Sequence, residues 1–338
     1  MKNYLYLFLF CLLLAACVPA AMDDSDDVKL KNLSQTVGSD KLQSCALPGN
    51  VDPEAIIRNL FAVFLDPVTY ADGNIDELKA LFSDDLTIVH QGPLDPKTPF
   101  YNIWNGKNGL EAWVWTLLTT GYFVGFDVKD MVVDGNKVTV HVTERVYILR
   151  GQELGPYESV ENFHTWYVNS EGLITGGYVI SESYTVWNAN YDTWNQGAYE
   201  TKYKIPSLAE GNNFGTAYNK AIAYLFVEAV KYGRLNALNL ICDQNVELAA
   251  TGDESIGWVG KFSGIQEVKN HARAIKRDSS QYQMDEIVGE GSRVDIRLNF
   301  TVNGVSCKIN YYFLLNSQGK IEKIYLYSDS YGIWKSYQ

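Results

Sequence analysis

Positively charged side chains are scarce in this sequence, and they form no cluster. The 338 residues include 28 Lys and Arg against 40 Asp and Glu, which gives a formal net charge of −12. A nucleic-acid-binding protein needs a basic patch, because contacts with the phosphates supply much of its affinity. The composition therefore argues against a nucleic-acid partner.

The sequence also lacks the short motifs of common enzyme and metal-binding classes. It contains no GxSxG, HExxH, phosphate-binding loop or dinucleotide-binding fingerprint. Its five cysteines include no CxxC pair, and its four histidines show no clustered spacing with them. The sequence therefore predicts no metal site and no cofactor.

The first 16 residues have the features of a bacterial signal peptide. One lysine precedes an apolar run at 4–14, which is shorter than the roughly 20 residues of a membrane-spanning helix. The run ends in LAAC, which resembles the lipobox of bacterial lipoproteins. That resemblance implies cleavage before Cys17, acylation of Cys17, and a lipid-anchored protein of the cell envelope that faces the periplasm or the cell surface. An ordinary signal peptide is the alternative.

Residues 17–50 have the composition of a flexible tether. The stretch 20–43 is polar, includes the acidic tract DDSDD, and shows no apolar period, so it cannot bury enough surface to fold alone. Cys45 lies in this tether. Cys242 and Cys307 lie in the second half of the chain, where they either pair in an oxidising compartment or act as small buried side chains.

The remainder of the chain contains an internal repeat. The phrase SESYTVW at 181–187 recurs as SDSYGIW at 328–334, and four upstream blocks recur in the same order. One of these blocks begins with Trp-x-Gly, at Trp104 and again at Trp258. Five blocks in one order indicate a duplicated domain. The repeat predicts one domain at 51–190, a linker at 191–212 and a second domain at 213–338.

Each half has the same predicted order of elements. In the first half, Asp52 caps a helix that starts at Pro53 and carries an apolar stripe. A short second helix follows, at 75–82 in the first half and 235–242 in the second. A strand, a third helix and three long strands joined by glycine-containing hairpins complete each half.

This order of elements resembles the NTF2-like fold, in its SnoaL-like or ketosteroid-isomerase-like branch. The Trp-x-Gly segment before the third helix and the acid at the end of the last strand carry the resemblance, over about 51–190 and 213–338. It implies an α+β protein with two tandem NTF2-like cones, each with a curved antiparallel sheet wrapped around N-terminal helices. The repeated phrase is then the last strand of each cone, and capping or hairpin closure is the structural role expected for its acids.

Two ionisable residues of the first half are candidates for acid–base catalysis. Strand alternation places Glu144 in an otherwise apolar row on one face, where burial disfavours the ionised carboxyl. His90 shares the apolar face of the first strand, at a place where SnoaL-like proteins often carry a pocket histidine or acid. The alternative for Glu144 is a bulged strand on which it pairs with Arg145 or another surface cation. The alternative for His90 is a histidine satisfied by a backbone carbonyl.

A second group of residues is predicted to line a ligand pocket. Its members are Tyr101, Trp104, Trp113, His164, Trp166 and Glu182. Core packing is the alternative for the tryptophans, and His271 on the third helix of the second half is predicted to lie at the surface. In the second half Ala250 and Phe300 replace His90 and Glu144, so that half is predicted to be a scaffold.

The sequence therefore predicts a membrane-anchored, non-catalytic binding protein that holds a small apolar or amphipathic ligand, or a protein partner, in an NTF2-like cone. One alternative is a SnoaL-like or ketosteroid-isomerase-like isomerase, cyclase or hydratase that uses His90 and Glu144. Another is an assembly module without a ligand, since NTF2-like domains often dimerise through the outer face of the sheet. That pairing joins either two copies of the chain or its two halves.

Overall fold

A computed structural model of the protein describes residues 51–65, 75–92, 98–150, 153–183, 185–186, 189, 198–200 and 214–338. The predicted signal peptide, Cys17, the tether with Cys45, and most of the predicted linker lie outside the described residues. Within these ranges, no helix is both long enough and apolar enough to cross a membrane.

Domain 1 is the first half of the described chain. Its elements are α1 (Pro53–Leu65), α2 (Asp76–Lys79), β1 (Phe82–Gln91), β2 (Asn102–Asn105), α3 (Gly106–Thr120), β3 (Gly121–Asp134), β4 (Lys137–Arg150), β5 (Glu153–Val168), β6 (Ile174–Ser181) and β7 (Ala198–Glu200). The last of these, β7, lies within the predicted linker and pairs with β5 in parallel.

Domain 2 repeats this order. Its elements are α4 (Thr216–Lys231), a 3₁₀ turn (Leu235–Ala237), α5 (Leu238–Ile241), β8 (Cys242–Ala250), β9 (Gly260–Ser263), α6 (Ile265–Asp278), β10 (Ser279–Glu290), β11 (Arg293–Val302), β12 (Val305–Leu315), β13 (Ile321–Ser328) and α7 (Ser330–Ser336).

The first helix forms as its sequence predicts. The carboxylate of Asp52 accepts a hydrogen bond from the backbone nitrogen of Ala55 at 3.1 Å, and Pro53 occupies the first turn. Ile57, Leu60, Phe61 and Phe64 form the buried face. The second helix is shorter than predicted, because the chain enters strand β1 at Phe82 and pairs there with β6.

Each half contains one sheet that packs around its helices. In domain 1 the strand order is β2-β1-β6-β5-β4-β3, and in domain 2 it is β10-β11-β12-β13-β8-β9. The neighbours on these two paths pair antiparallel, except for the parallel pairs β1–β6 and β13–β8. The hairpin glycines Gly135 and Gly172 have φ of 62° and 80°, a conformation that glycine adopts without strain. The prediction of two tandem α+β cones is confirmed.

The outer faces of the two sheets pack against each other. Phe163 and Ile180 of domain 1 share a buried cluster with Tyr312 and Tyr327 of domain 2, and the rings of Phe163 and Tyr327 lie 4.4 Å apart. Buried polar contacts cross the same interface, including His141 Nε2 and Asp295 Oδ2 at 3.1 Å. The two halves therefore pair with each other through the sheet faces.

The repeated phrase lies at this interface and is used reciprocally. Ser183 Oγ donates to Asp329 Oδ1 at 2.6 Å, and Ser330 Oγ donates to the carboxylate of Glu182. The serine of each copy thus contacts the acid of the other copy, which is the reciprocal arrangement of an isologous dimer. Both acids also cap the following turn, since Asp329 accepts from Gly332 N and Glu182 from Thr185 N, each at 3.1 Å.

Candidate ligand site in the cone of domain 1

The inner face of β4 carries the apolar row predicted from strand alternation. Val138, Val140 and Val142 are fully buried in the core of domain 1, and Glu144 follows them on the same face with 17% of its side chain exposed. Arg145 lies on the opposite face, where it donates to Asp127 Oδ1 at 2.9 Å. The alternative of a surface pair between Glu144 and Arg145 is therefore wrong.

Strand β5 places further polar groups beside Glu144 on this inner face. Cross-strand pairs of Glu158 with Val146, Asn162 with Val142, and His164 with Val140 align their side chains with the row on β4. Glu144 Oε1 lies 3.9 Å from His164 Nε2. Glu158 and Asn162 were not predicted as site residues, although their period-two spacing with His164 is the signal that identifies this face.

His90 is held inside the cone by two side chains. Trp113 Nε1 donates to His90 Nδ1 at 3.2 Å, and His90 Nε2 lies 3.1 Å from Ser181 Oγ. Because Nδ1 accepts, a neutral ring carries its proton on Nε2 and donates to Ser181. His90 is therefore satisfied by side chains, and the backbone carbonyl considered as its alternative partner is not used.

Burial shifts the pKa values of the carboxyls and imidazoles in this cone. It raises the pKa of Glu144 to about 7, a rise that the nearby amide of Asn162 opposes. Burial, followed by the carboxyls of Glu144 and Glu182, raises the pKa of Glu158 well above its usual range. Burial lowers the pKa of His164 to about 3 and that of His90 well below its usual range. At neutral pH both imidazoles are therefore neutral and Glu144 is partly ionised.

Several buried polar atoms in this cone have no hydrogen-bond partner among the described residues. They are Glu158 Oε2, both polar side-chain atoms of Asn162 and both ring nitrogens of His164. In native proteins most buried polar groups are paired, so a cluster of unpaired groups needs a physical reason. These unpaired atoms lie together inside one cone, and contact with a bound ligand would give them the partners that they lack.

A small cavity lies in the same cone, with Glu158 in its lining and Asn162 and His164 outside that lining. It has a volume of about 20 Å³, which is about the room of one water molecule. Its polar lining includes His90, Glu144 and Glu158, and its apolar lining includes Phe100 and Phe123. No Lys or Arg of the described chain lines it.

The other residues predicted to line the pocket fall into two groups. Tyr101 packs against His90 at 4.9 Å between ring centroids, and buried Trp166 packs on Gly177, where a Cβ atom would lie 2.3 Å from its ring. Trp104 donates to the carbonyl of Phe100 at 3.1 Å, and Glu182 lies at the interface between halves. None of the six residues predicted to line the pocket is in the lining of the cavity.

The cone of domain 2 carries apolar or aromatic residues at the equivalent places. The pairing of Tyr311 with Ile296 and of Ile309 with Leu298 matches that of His164 with Val140 and of Asn162 with Val142. The same register puts Phe300 at the place of Glu144 and Val305 at that of Glu158, while Ala250 stands at that of His90. The predicted replacement of Glu144 by Phe300 is confirmed.

His271 of domain 2 is fully buried, so the prediction of a surface position is wrong. Its Nδ1 lies 2.8 Å from the carbonyl oxygen of Trp258, and its Nε2 lies 3.4 Å from Tyr311 Oη. The reason is its helical spacing of three from Val268 and four from Ile275, which puts His271 on the buried face of α6.

No metal site is found among the residues that the structure describes: nowhere do three or more His, Cys, Asp or Glu side chains come together to hold an ion. Cys242 and Cys307 are both free, and burial raises the pKa of both thiols. The structure therefore has no disulfide between Cys242 and Cys307, in agreement with the alternative of two unpaired side chains.

A second depression, of about 390 Å³, lies between the two sheets beside Cys307. Its cation Lys308 contacts Asp285 Oδ2 at 3.0 Å, and Arg297 nearby stacks on the ring of Tyr178 at 3.8 Å. These charged groups are therefore already paired, in contrast to the polar groups of the cone.

Comparison with known proteins agrees with this geometry. Residues 62–176 match the family model of the SnoaL-like domain, a segment that spans β1 to β5 and includes both His90 and Glu144. The match lies within domain 1, and domain 2 repeats the order of elements of that domain. A comparison with curated proteins gives no match.

Solved structures similar to this chain match between 36% and 41% of its length. An NTF2-like protein of unknown function from Burkholderia pseudomallei has 12% identity, covers 41% of this chain and 97% of its own, and has a TM-score of 0.34. An NTF2-like protein from Burkholderia xenovorans has 18% identity, coverages of 36% and 98%, and a TM-score of 0.32. TerC, crystallised with polyporic acid, has 18% identity, coverages of 41% and 98%, and a TM-score of 0.33.

The raised pKa of Glu144 predicts how stability depends on pH. In the unfolded chain this carboxyl has a pKa of about 4.3. Between that pH and 7 the folded protein binds more protons than the unfolded chain, so ionisation of Glu144 lowers stability as pH rises. Glu144→Gln should match wild type near pH 4 and exceed it by about 2 kcal/mol above pH 7, measured by urea unfolding.

Glu247→Gln is the control for this experiment. Glu247 is an exposed residue of β8 in domain 2, so its replacement should change stability by less than about 0.5 kcal/mol at every pH. A stability difference between Glu144→Gln and wild type that does not change from pH 4 to 8 would contradict the buried, raised-pKa carboxyl.

Proposed function

We propose that domain 1 binds a small, largely apolar molecule with a polar end in its cone, and that domain 2 is the scaffold on which domain 1 packs. The polar end contacts the group around Glu144, Glu158 and His164. The apolar remainder lies towards Phe100 and Phe123. Because the cavity has the volume of one water molecule, side chains at its apolar end move when a larger ligand enters.

The difference between the two cones carries this proposal. Asn162 and His164 keep unpaired polar atoms inside domain 1, whereas Ile309 and Tyr311 occupy the equivalent places in domain 2. The fold therefore does not require polar groups at these positions. A buried polar group without a partner costs about 1–3 kcal/mol, and ligand contact is the physical reason to keep it.

Native mass spectrometry tests the proposal. The mature full-length protein is released in detergent from its own host and is measured before and after mild denaturation. We expect a small molecule that leaves on denaturation, and we expect Asn162→Ile to lose it. Asn270→Ile, the same change at an exposed position of α6, is the control and should retain the ligand.

Two results would count against ligand binding in this cone. A wild-type protein without a bound small molecule would favour the docking of a protein partner or rapid turnover. A ligand that remains in full amount on Asn162→Ile would place its site elsewhere in the protein.

A second candidate function is acid–base catalysis on the same ligand. The observation that favours it is the pKa of Glu144 near 7, which lets one carboxyl both accept and donate a proton at neutral pH. SnoaL-like enzymes of the isomerase, cyclase or hydratase type are the matching class. Glu144→Gln should then bind the molecule released from the wild type but leave it unchanged, whereas the wild type should convert it.

We also propose that the protein is a lipoprotein of the bacterial cell envelope. The LAAC segment that ends at Cys17 supports this localisation. The mass of the mature N-terminal peptide tests it: a diacylglyceryl group on Cys17 is expected, and a Cys17→Ser variant should lose both the group and the membrane attachment.

A further inference from the structure

Two carboxyl groups line one cavity in the cone of domain 1, and no Lys or Arg of the described residues lines it with them. Glu144 and Glu158 line the same cavity, and each raises the electrostatic cost of ionising the other. The histidines beside them, His90 and His164, are buried, and burial keeps both imidazoles neutral. The site thus has two carboxyl groups and, among the described residues, no cation to balance them.

We propose that the ligand of this cone carries a protonated amine whose ammonium group lies between the carboxylates of Glu144 and Glu158. The inference rests on the proposed ligand-binding function and adds the chemical class of the ligand. The cavity of about 20 Å³ is close to the size of one primary ammonium head.

Aromatic rings surround the two carboxyls and favour a cation. Phe126 pairs with Glu144 across β3 and β4, and Phe123 pairs with Val146 on the same face. Phe61 of α1 lies 5.3 Å from Phe126 and 5.5 Å from His164 between ring centroids. An ammonium group gains energy from the faces of such rings as well as from carboxylates.

The unpaired groups around the cavity complete the site for an ammonium group. Such a group has three hydrogens to donate and no acceptor. Glu158 Oε2 is an acceptor without a partner, it is more than nine-tenths buried, and it faces the cavity.

The other titratable groups near the pair do not supply the missing positive charge. Tyr101 follows β1, and Glu182 follows β6; burial raises the pKa of Tyr101, and Glu182 adds negative charge. Helix α1 contributes Phe61 and Phe64 to this side of the core, and Arg145 of β4 is paired outside with Asp127. An anionic ligand would meet only repulsion or neutral groups here.

The proposal makes proton release a signature of binding. Burial raises the pKa of both carboxyls, so an ammonium ligand that stabilises both carboxylates drives protons into solution. Each proton released makes the association constant rise tenfold per pH unit. Alkylamines stay protonated across this range, because their pKa lies near that of lysine, about 10.

The test compares n-hexylammonium with 1-hexanol, which has the same length and no charge. Isothermal titration of the full-length protein in detergent, in two buffers of different ionisation enthalpy, measures both affinity and proton release. We expect hexylammonium to bind at least tenfold more tightly than hexanol, with release of about one proton at pH 7.5. Its affinity should rise about tenfold from pH 6.5 to 7.5.

Glu158→Gln keeps the shape of the side chain and removes its charge. This variant should weaken hexylammonium binding at least tenfold, release fewer protons, and leave hexanol binding unchanged within about twofold. The exposed Glu247→Gln is the matched control and should behave as wild type. Circular dichroism and the melting temperature of each variant show that the fold is retained.

The results separate this inference from the proposed function. Hexanol binding as tightly as hexylammonium, or binding of hexylammonium without proton release, overturns the amine while leaving a neutral ligand in the cone. A host-derived ligand without an amino group does the same. If neither hexylammonium nor hexanol binds and the wild-type protein carries no small molecule, the amine ligand and the proposed ligand-binding function are both overturned.

Discussion

Asp130→Ala is expected to cost about 3 kcal/mol of folding free energy, because it removes a buried carboxylate that joins the two halves. Asp130 on β3 is 6% exposed and accepts hydrogen bonds from Tyr312 Oη and Arg293 Nη1 of domain 2. Alanine leaves the hydroxyl of Tyr312 without its acceptor. Arg293 loses one of two carboxylate partners, since its Nη2 stays 2.8 Å from Glu290 Oε2, and its 21% exposure further limits its share of the cost. Urea unfolding at pH 7 measures the loss.

Asp127→Ala is the matched control on the same strand. Asp127 also pairs with an arginine, Arg145, at 2.9 Å, but their side chains are 43% and 41% exposed. Exposed pairs of this kind contribute about 0–1 kcal/mol, so this variant should remain close to wild type. Equal losses for the two variants would show that Asp130 does not hold the halves together.

Exchanging Asn162 and Ile309 singly between the two cones should change stability in opposite directions. Ile309→Asn places an unpaired amide in the filled cone of domain 2, where Ile309 is fully buried, and should cost about 3–4 kcal/mol. Asn162→Ile removes an unpaired amide from domain 1 and should raise stability by about 1 kcal/mol. Urea unfolding of both variants, each with the wild type, measures the two changes.

Each of these variants is the other's control, since the two positions share one strand register and receive the opposite substitution. Destabilisation by Asn162→Ile of more than about 1 kcal/mol would mean that the amide has structural partners and contradict its role as a ligand contact. With the loss of ligand expected for the same variant, a gain in stability would show that domain 1 gives up stability for its site.

Much of the fold follows from local patterns in the sequence. The period of two along β4 identified the face that carries Glu144, because a strand alternates its side chains between two sides whatever it packs against. The spacing of Ile57, Leu60, Phe61 and Phe64 identified the buried face of α1 in the same way. Such patterns depend on neighbours a few residues apart, which the sequence shows directly.

The sequence was a poorer guide to which residues form the site. Glu158 and Asn162 join Glu144 and His164 only through the pairing of β5 with β4, and Ser181 meets His90 across 91 residues of chain. Trp104 and Glu182 belong to the right elements but lie away from the cavity, since neighbours in sequence can face different sides. His271 was misplaced because one polar side chain was read as exposed, although its helical spacing puts it on the buried face.

The duplication, the two-cone architecture and the loss of His90 and Glu144 from the second cone were determined by the sequence alone, because repeated blocks can be aligned without coordinates. Only the tertiary structure decided why SESY and SDSY are both present. Ser183 meets Asp329 and Ser330 meets Glu182 because the two sheets pack face to face, a contact between residues 146 and 148 positions apart. Tertiary packing likewise brought Glu144 and Glu158 into one small cavity that no Lys or Arg of the described residues lines, since burial and the surroundings of a side chain are properties of the folded cone.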